Sequence, residues 1–321
     1  GKLAGALEVP ADFTVAVAGL GAPTSGPPAR PTAVVLTNPG VGSLASSLAS
    51  QIAQLAVHQA SLELGKTLTA GPQGQDPGST GAARLLLADP IAVRVQVGHP
   101  IGVRTGVGLA AFYYTLLVVL TAFLGGSIIS NGVDVGLGYA YSELGPWRTR
   151  RPVVPISRTA TLAVKSAMSV VIAALSCSMI MIAAVLILDL DTTHLPLLWI
   201  FSFCATVAVG LGVQAINAAF GGIGQIVSMF VFVALALPSS GATIPLEALP
   251  SFYRVLSEFE PMRQLSDGIR AIMYFDARAD AGLTRAWVMT AVGTAAALVF
   301  GFAMTTYYDR KHLHRMVVRT E

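Results

Sequence analysis

The sequence predicts a polytopic α-helical membrane protein with a small α+β extracytoplasmic domain, five spans being visible and a sixth expected upstream of Gly1. Three observations carry that expectation. Apolar runs at 109–129, 162–188, 197–219, 223–237 and 287–307 hold almost no charge. A helix needs about 20 apolar residues to cross a bilayer, and only the fourth run falls short. The chain is 54% hydrophobic and 12% charged, with a mean hydropathy of +0.67, whereas a soluble domain carries about 25% charged residues. Charge placement is the third. Basic segments lie at 142–158 (SELGPWRTRRPVVPISR) and from Asp309 onward (DRKHLHR), while 189–196 has no Lys or Arg and 239–285 mixes Arg with Glu and Asp. Five alternating spans put both basic segments on one face, which the positive-inside rule makes cytoplasmic.

In chain order, residues 1–106 form the outer domain. The β-branched pieces 4–9, 33–36 and 91–97 are bounded by Pro, Gly or Asp, as strands usually are. Between 42 and 69, Leu44, Leu48, Ile52, Leu55 and Leu62 recur at helical spacing with Ser, Gln and His on the other faces. This stripe is expected to pack on the small sheet; the alternative is a helix pairing with a second copy. Segment 71–81 (GPQGQDPGSTG) reads as an exposed loop. The transmembrane domain, 107–308, has spans at about 107–130, 162–188, 197–219, 221–238 and 286–308, followed by a basic cytoplasmic tail at 309–321. An outer N-terminal domain needs an anchor before it, hence the expected upstream span.

Several groups inside the spans invite a functional reading. Gly210, Gln214, Asn217 and Gly221 fall at i, i+4, i+7 and i+11 on one helical face. Amides and glycines there usually mark close helix contacts, so packing is preferred over substrate lining. Gly293, Ala297 and Gly301 make a small-residue ridge in the last span, and Ser166, Ser169, Ala173 and Ser176 another in the second. Leucine at Gly293 or Gly301 should therefore harm assembly more than leucine at Val299. The run Gly221-Gly-Ile-Gly224 lacks the strand and the Lys-Ser/Thr pair of a phosphate loop and reads as a tight inner turn. Cys177 and Cys204 read as small buried hydrophobes, and His312 and His314 as part of a lipid-facing basic tail. The spans are expected to hold neither a buried ion pair nor an acidic relay, which argues against proton coupling. With no Ser/His/Asp grouping, no zinc spacing and no Walker sequence, the expectation is a non-enzymatic protein with no cofactor, no metal and no nucleic-acid partner.

The inner loop carries the strongest patch. Trp147 with Arg148, Arg150 and Arg151, between Pro146 and Pro152, is basic, aromatic and bounded by turns. It reads first as a lipid anchor and second as a partner-docking loop.

Three segments resemble the phage infection protein (YhgE/Pip) family. GKLAGALEVPADF at 1–13 is similar to its "G-x-hydrophobic-x-I-P-x-D-F" opening, and HPIGVRTGVGLAAFYY at 99–114 to the lead into its second span. SSGATIPLEALP at 239–250, followed by Phe259-Glu-Pro-Met and Gly268-Ile-Arg270, resembles the loop before its last span, a pattern shared with the type-2 ABC exporter permeases. The resemblance implies one span, an outer domain and five further spans, although the outer domain here is shorter than in the long bacterial members. It also implies a bacterial cytoplasmic-membrane location and a permease-like protein handling a lipidic or amphipathic envelope component. Its partners would be membrane lipids, a second copy or a larger complex, and a separate ATPase subunit docking on the inner loop. A non-transporting scaffold of an envelope or secretion complex is the rival. The resemblance marks Gly241, Pro245, Pro250, Pro261 and Arg270 in the outer loop. Arg270 stands close to the apolar face of Leu265, Ile269, Ile272 and Met273, so it should need an acceptor, with Asp267 at i−3 in reach. A structural clamp is the expectation, and Arg270→Lys would lose its planar fork.

Overall fold

The computed structural model describes residues 3–20, 30–71, 81–102, 104–190, 193–241 and 249–313. It divides into two compact units, Gly1–Ile101 and Gly102–Glu321.

The first unit is built on a three-stranded sheet: β1 (Gly5–Glu8), β2 (Thr32–Thr37) and β3 (Ala92–Val97), in that spatial order. β1 runs antiparallel to β2, with Gly5 opposite Thr37. β3 runs parallel to β2, with Thr32 opposite Ala92. A parallel pair needs a crossover, and α2 (Ser43–Ala70) with α3 (Gly81–Ala88) supplies it, α1 (Phe13–Gly19) lying earlier in the chain. Ala33, Val57 and Ile91 form the core, with Phe13 and Leu64 against it.

The long helix falls where its apolar spacing predicts, but it is turned the other way round. Its buried positions are Ser46, Ser50, Val57, Ser61 and Gly65. Leu44, Leu48, Ile52, Leu55 and Leu62 all face outward, Ile52 being 67% and Leu55 63% exposed. The physical reason is close approach. A methyl group at Gly65 would stand 2.0 Å from the Ala88 carbonyl oxygen, so only small residues fit that side. Ser61 also accepts from the Ile91 amide at 2.9 Å and donates to Asp89. The expected packing of the leucine stripe on the sheet is therefore corrected. The predicted loop at 71–81 lies mostly outside the described residues.

The second unit is a helical bundle. Among the described residues, four stretches are long and apolar enough to cross a membrane: Ala110–Gly136, Arg158–Ile187, Leu195–Ser239 and Leu283–Arg310. α4 (Ala110–Gly136) extends beyond the predicted end of the first span and carries Asn131 and Asp134 in its last two turns. After it, Ser142–Leu144 (β4) and Trp147–Thr149 (β5) pair as a hairpin across Gly145 and Pro146. α5 (Arg158–Ile182) passes into a π-helical turn at Ala183–Ile187.

The 45-residue third stretch is folded back on itself. α6 (Leu195–Phe220) stops at Gly221, whose φ of 63° and ψ of −132° suit only glycine. The chain returns through α7 (Gly224–Met229), a π-helical turn at Phe230–Ala234 and α8 (Ala236–Ser239). A methyl at Gly212 would meet Phe232 Cζ at 2.7 Å, whereas 20 residues of straight helix would separate the two by about 30 Å. A tight turn is thus present at 221–224, where the sequence places one.

α9 (Ser251–Leu256) leaves Phe252 and Val255 exposed, and α10 (Pro261–Tyr274) then enters the bundle, burying Met262, Leu265, Ile269 and Ile272 against α4, α6 and α11 (Leu283–Arg310). α6 is the centre of the unit, packing on α4, α5, α10 and α11. The ends of α5 and α11 are tied by Asp309. Its carboxylate accepts from the Arg158 and Thr159 amides at 2.9 and 3.0 Å and from the Thr159 hydroxyl at 2.7 Å. That caps the first turn of α5 with a side chain from the last span.

The small-residue ridge of α11 divides. A methyl at Gly301 would meet Ala215 Cβ at 2.9 Å and Leu162 Cδ2 at 3.1 Å, whereas none of the described atoms comes within 4 Å at Gly293. Gly301 is a helix seam, and Gly293 is corrected to the wall of a cavity. In α5, Ser169 and Ala173 are buried, while Ser166 and Ser176 are only partly so.

Candidate functional site

Two cavities of opposite character lie in the helical unit. The first, of about 490 Å³, is formed by α6 (Val209, Gly212, Ile216), the returning arm (Val231, Phe232), the start of α10 (Phe259, Pro261) and α11 (Gly293, Ala297, Phe300). That volume lies in the ordinary range for ligand pockets. Its polar side chains are spent internally. Gln264 donates to the Glu258 carbonyl at 3.0 Å, and Thr290 to the Ala286 carbonyl at 2.7 Å. What the cavity offers a guest is apolar. A π-helical turn flanks it at Phe230–Ala234, a distortion that is frequent at functional sites.

Charges gather beside the α10 end of this cavity. Arg285 donates to Glu258 at 2.6 Å, and that bond holds the Glu258 carboxyl below its usual range. Arg263 donates to the Ser257 hydroxyl at 2.6 Å. Glu260, only 3% exposed, accepts from the Met262 and Arg263 amides, both at 2.9 Å, and so caps α10. Burial nevertheless pushes its carboxyl up to about 7.

The second cavity, of about 420 Å³, is polar. It lies where the ends of α4, α5 and α6 meet, and its walls include Ser127, Ser130, Asn131, Asp134, Tyr139, Arg158, Asn217 and Gln225. Behind it stands an ion pair that overturns the expectation of spans without buried charges. Lys165 Nζ lies 2.8 Å from Asp134 Oδ1 and 3.1 Å from Ser130 Oγ, with the lysine side chain 5% exposed. Its helix starts at Arg158, so the Lys165 backbone stands two turns, roughly 10 Å, along α5. The first apolar run ended at Ile129, which hid Asp134. Ser127, Ser130, Asn131 and Asp134 nevertheless fall at i, i+3, i+4 and i+7, the signature of a continuing helix with one polar face.

The predicted polar face of α6 is distributed along this interior. Gln214, almost wholly buried, donates to the Gly126 carbonyl at 3.0 Å and to Ser169 Oγ at 3.2 Å. Gly210 lies against Ser169, Asn217 lines the polar cavity, and Gly221 makes the turn. Packing and cavity lining thus both occur on the one face. Cys177 is buried beside Thr206 at 3.0 Å, and Cys204 is half-buried.

The 142–158 loop presents Trp147, 72% exposed, at the end of its hairpin. Arg148 lies 4.2 Å over the Tyr141 ring and 3.4 Å from Glu143, and Arg150 donates to the Gly138 carbonyl at 2.9 Å. Arg151 is exposed. Arg148 and Arg150 are therefore partly committed within the loop, leaving Trp147 and Arg151 as its free surface. In the segment after α8, Gly241 has φ 65°, Pro250 precedes α9, Pro261 opens α10 and lines the apolar cavity, and Pro245 lies outside the described residues. Arg270 is buried, with Nη1 3.8 Å from Asp267 Oδ1. Its Nε and Nη2 have no hydrogen-bond partner among the described residues. The expected tight clamp is corrected to a long ion pair.

Long apolar helices around a partly polar interior define an integral membrane protein of the multi-helix type. The chain belongs to the DUF3533 family, described as "Protein of unknown function (DUF3533)", which matches residues 2–293. It is also 31% identical over 110 residues to "Uncharacterized protein YhgE" of Bacillus subtilis (strain 168). That match covers 34% of this chain and 13% of that protein, far less than two thirds of its length. Both findings agree with the YhgE/Pip-like resemblance of the three segments. No solved structure matches.

Proposed function

We propose that this is a permease-like protein of the bacterial cytoplasmic membrane that handles a lipidic or amphipathic component of the cell envelope. The apolar cavity beside a charged rim supports this reading, because it suits a guest with one apolar and one polar end. The folded-back third stretch supports five spans, with Gly221 at an inner turn and the returning arm as the fourth span. Residues 1–106 and 239–284 then lie outside, and 142–158 and 309–321 inside. Single cysteines at the exposed Gln59 and Thr149, in a Cys-free background, should label oppositely with a membrane-impermeant reagent. Equal labelling in intact cells rejects this orientation.

The cargo reading is tested with a phospholipid carrying a photoactivatable group on its acyl chain, using the purified protein in lipid nanodiscs. Adducts should concentrate on Val231, Ala296 and Phe300 and fall several-fold in Gly293→Trp, which puts bulk on the cavity wall where an added Cβ meets none of the described atoms within 4 Å. Adducts spread evenly onto lipid-facing positions such as Leu186 and Val299 would sink it.

The scaffold reading draws on a separate observation, the outward leucine stripe of α2. Pull-down from native membranes separates the two. A co-purifying ATPase docked on the Trp147 loop favours transport, and an envelope synthase or secretion channel favours scaffolding.

A further inference from the structure

Three helices bring polar side chains to one place. The last turns of α4 set Ser127, Asn131 and Asp134 on one face, at i, i+4 and i+7. The last turn of α6 adds Asn217, and the second residue of α7 adds Gln225. The returning arm lies tight against Asn217: a methyl at Gly224 would stand 2.7 Å from its Cα and 2.8 Å from its Oδ1. All five line the polar cavity of about 420 Å³, a volume within the range of small-molecule sites. Polar groups are costly to carry inside a membrane bundle and usually mark a path or a site for something polar. Two of their atoms are unspent. Ser127 is 8% exposed, and neither its Oγ nor Asn217 Oδ1 has a hydrogen-bond partner among the described residues. Buried polar atoms are nearly always satisfied, so these two call for a partner from outside the fold.

The wall says which chemistry that partner has. Its charged members are one acid, Asp134, and one base, Arg158. Behind them Lys165 and Asp309 add one more of each sign, Lys165 at 2.8 Å from Asp134 and Asp309 accepting the Arg158 amide at 2.9 Å. A guest with a full charge therefore finds no surplus of the opposite sign. The rest of the wall is amide and hydroxyl. Asn131, Asn217 and Gln225 each present a carbonyl oxygen beside an NH2, and Ser127 a hydroxyl that can give or take a proton. The group that matches such a wall both donates and accepts at every position, and it is the hydroxyl. We propose that this cavity binds a neutral polyhydroxylated group, a sugar ring being the simplest case. Guest hydroxyls donate to Ser127 Oγ and Asn217 Oδ1, satisfying the two unpaired acceptors, while the Asn131 and Gln225 amides hold the neighbouring hydroxyls. A free glycoside and the headgroup of a glycolipid offer this same chemistry.

The site goes beyond the permease reading and does not depend on it. The purified full chain in phosphatidylcholine nanodiscs is irradiated with three diazirine probes. One is a methyl glucoside, one a glucosyl diacylglycerol labelled on its sugar, and one a phosphatidylcholine labelled on its choline. Sugar adducts should fall on Asn131, Asn217 and Gln225 and be competed away by the same sugar without the diazirine. Labelling by the glucoside assigns a free ligand, and labelling by the glycolipid alone assigns a headgroup. Ser127→Ala and Asn217→Ala should each cut the labelling several-fold. Ser127→Ala removes a hydroxyl that has no partner in the fold, so its thermal midpoint should hold or rise. It carries the test should Asn217→Ala fold poorly. Absent sugar adducts at these residues, equal labelling by the choline probe, or undiminished labelling in Ser127→Ala overturns the proposal and leaves a water-filled gap between helices. The photoactive group sits on the sugar and the residues read differ from those of the apolar cavity, so this result and the acyl-chain crosslinking can fail separately.

Discussion

Replacing Gly268 by alanine is expected to destabilise the helical unit by about 1–3 kcal/mol, the usual cost of overfilling a packed core. The sign is opposite to what helix propensity alone gives, since alanine is favoured over glycine in a helix interior by about 1 kcal/mol. Space decides it. A methyl there would stand 2.4 Å from Phe201 Cζ and 2.7 Å from Ala286 Cβ. Phe201 is wholly buried and meets Trp287 edge-on at 5.1 Å, so its ring has nowhere to swing. Ala286 is fixed to the backbone of α11. The same exchange at Gly132, where none of the described atoms lies within 4 Å, should be neutral or stabilising by a few tenths of a kcal/mol. Thermal unfolding in detergent, followed by tryptophan fluorescence, compares the two. Equal midpoints would mean that α10 is not docked in the bundle as described.

The second large effect is a pH dependence centred on Glu260. Its folded carboxyl is raised from 4.5 to about 7 by burial, against the pull of the two amides it caps. A raised acid favours the folded state most strongly where both states hold the proton, below about pH 4.5. As pH climbs from there to about 7, the unfolded chain releases its proton first and stability falls. Above about 7 both states are ionised and the loss is complete. A difference near 2.5 pKa units corresponds to about 3 kcal/mol. Glu260→Gln keeps the shape and an acceptor oxygen but cannot titrate, so its stability should be nearly flat across this window. A variant whose pH profile keeps the slope of the parent places the titration elsewhere.

Much of the helical unit was legible because bilayer physics writes itself into composition. Runs of apolar residues have to be helical in lipid, and the turn at Gly221 is marked by four residues containing three glycines. Side-chain partners were less legible. Asp134 and Lys165 are 31 residues apart, and nothing local joins them. A polar stretch after an apolar run looks like a loop until its helical spacing is noticed. The outward stripe of α2 misled for a different reason. Amphipathicity tells which face differs, whereas the choice of inner face was made by how closely β2 and α3 approach, and that favours serine and glycine over leucine. Arg270 is a third kind of miss. Its burial follows from its place beside the apolar face, but the 3.8 Å gap to Asp267 is set by tertiary packing that an i, i+3 rule cannot see.

The cap that Asp309 places on α5 has a consequence for how the protein is made. Thr159 leaves the ribosome about 150 residues before the carboxylate that satisfies its amide. At about 5–20 residues per second, the Arg158 and Thr159 amides wait roughly 8 to 30 s for that carboxylate, while Ser157 caps the Ala160 amide from the start. Through that interval the entry of the second apolar helix lacks the Asp309 carboxylate, and the arrival of the last helix fastens it. Bundle closure is thereby linked to completion of the final helix, so a chain stalled before Asp309 carries all its earlier apolar segments yet lacks the latch that joins the last helix to the second.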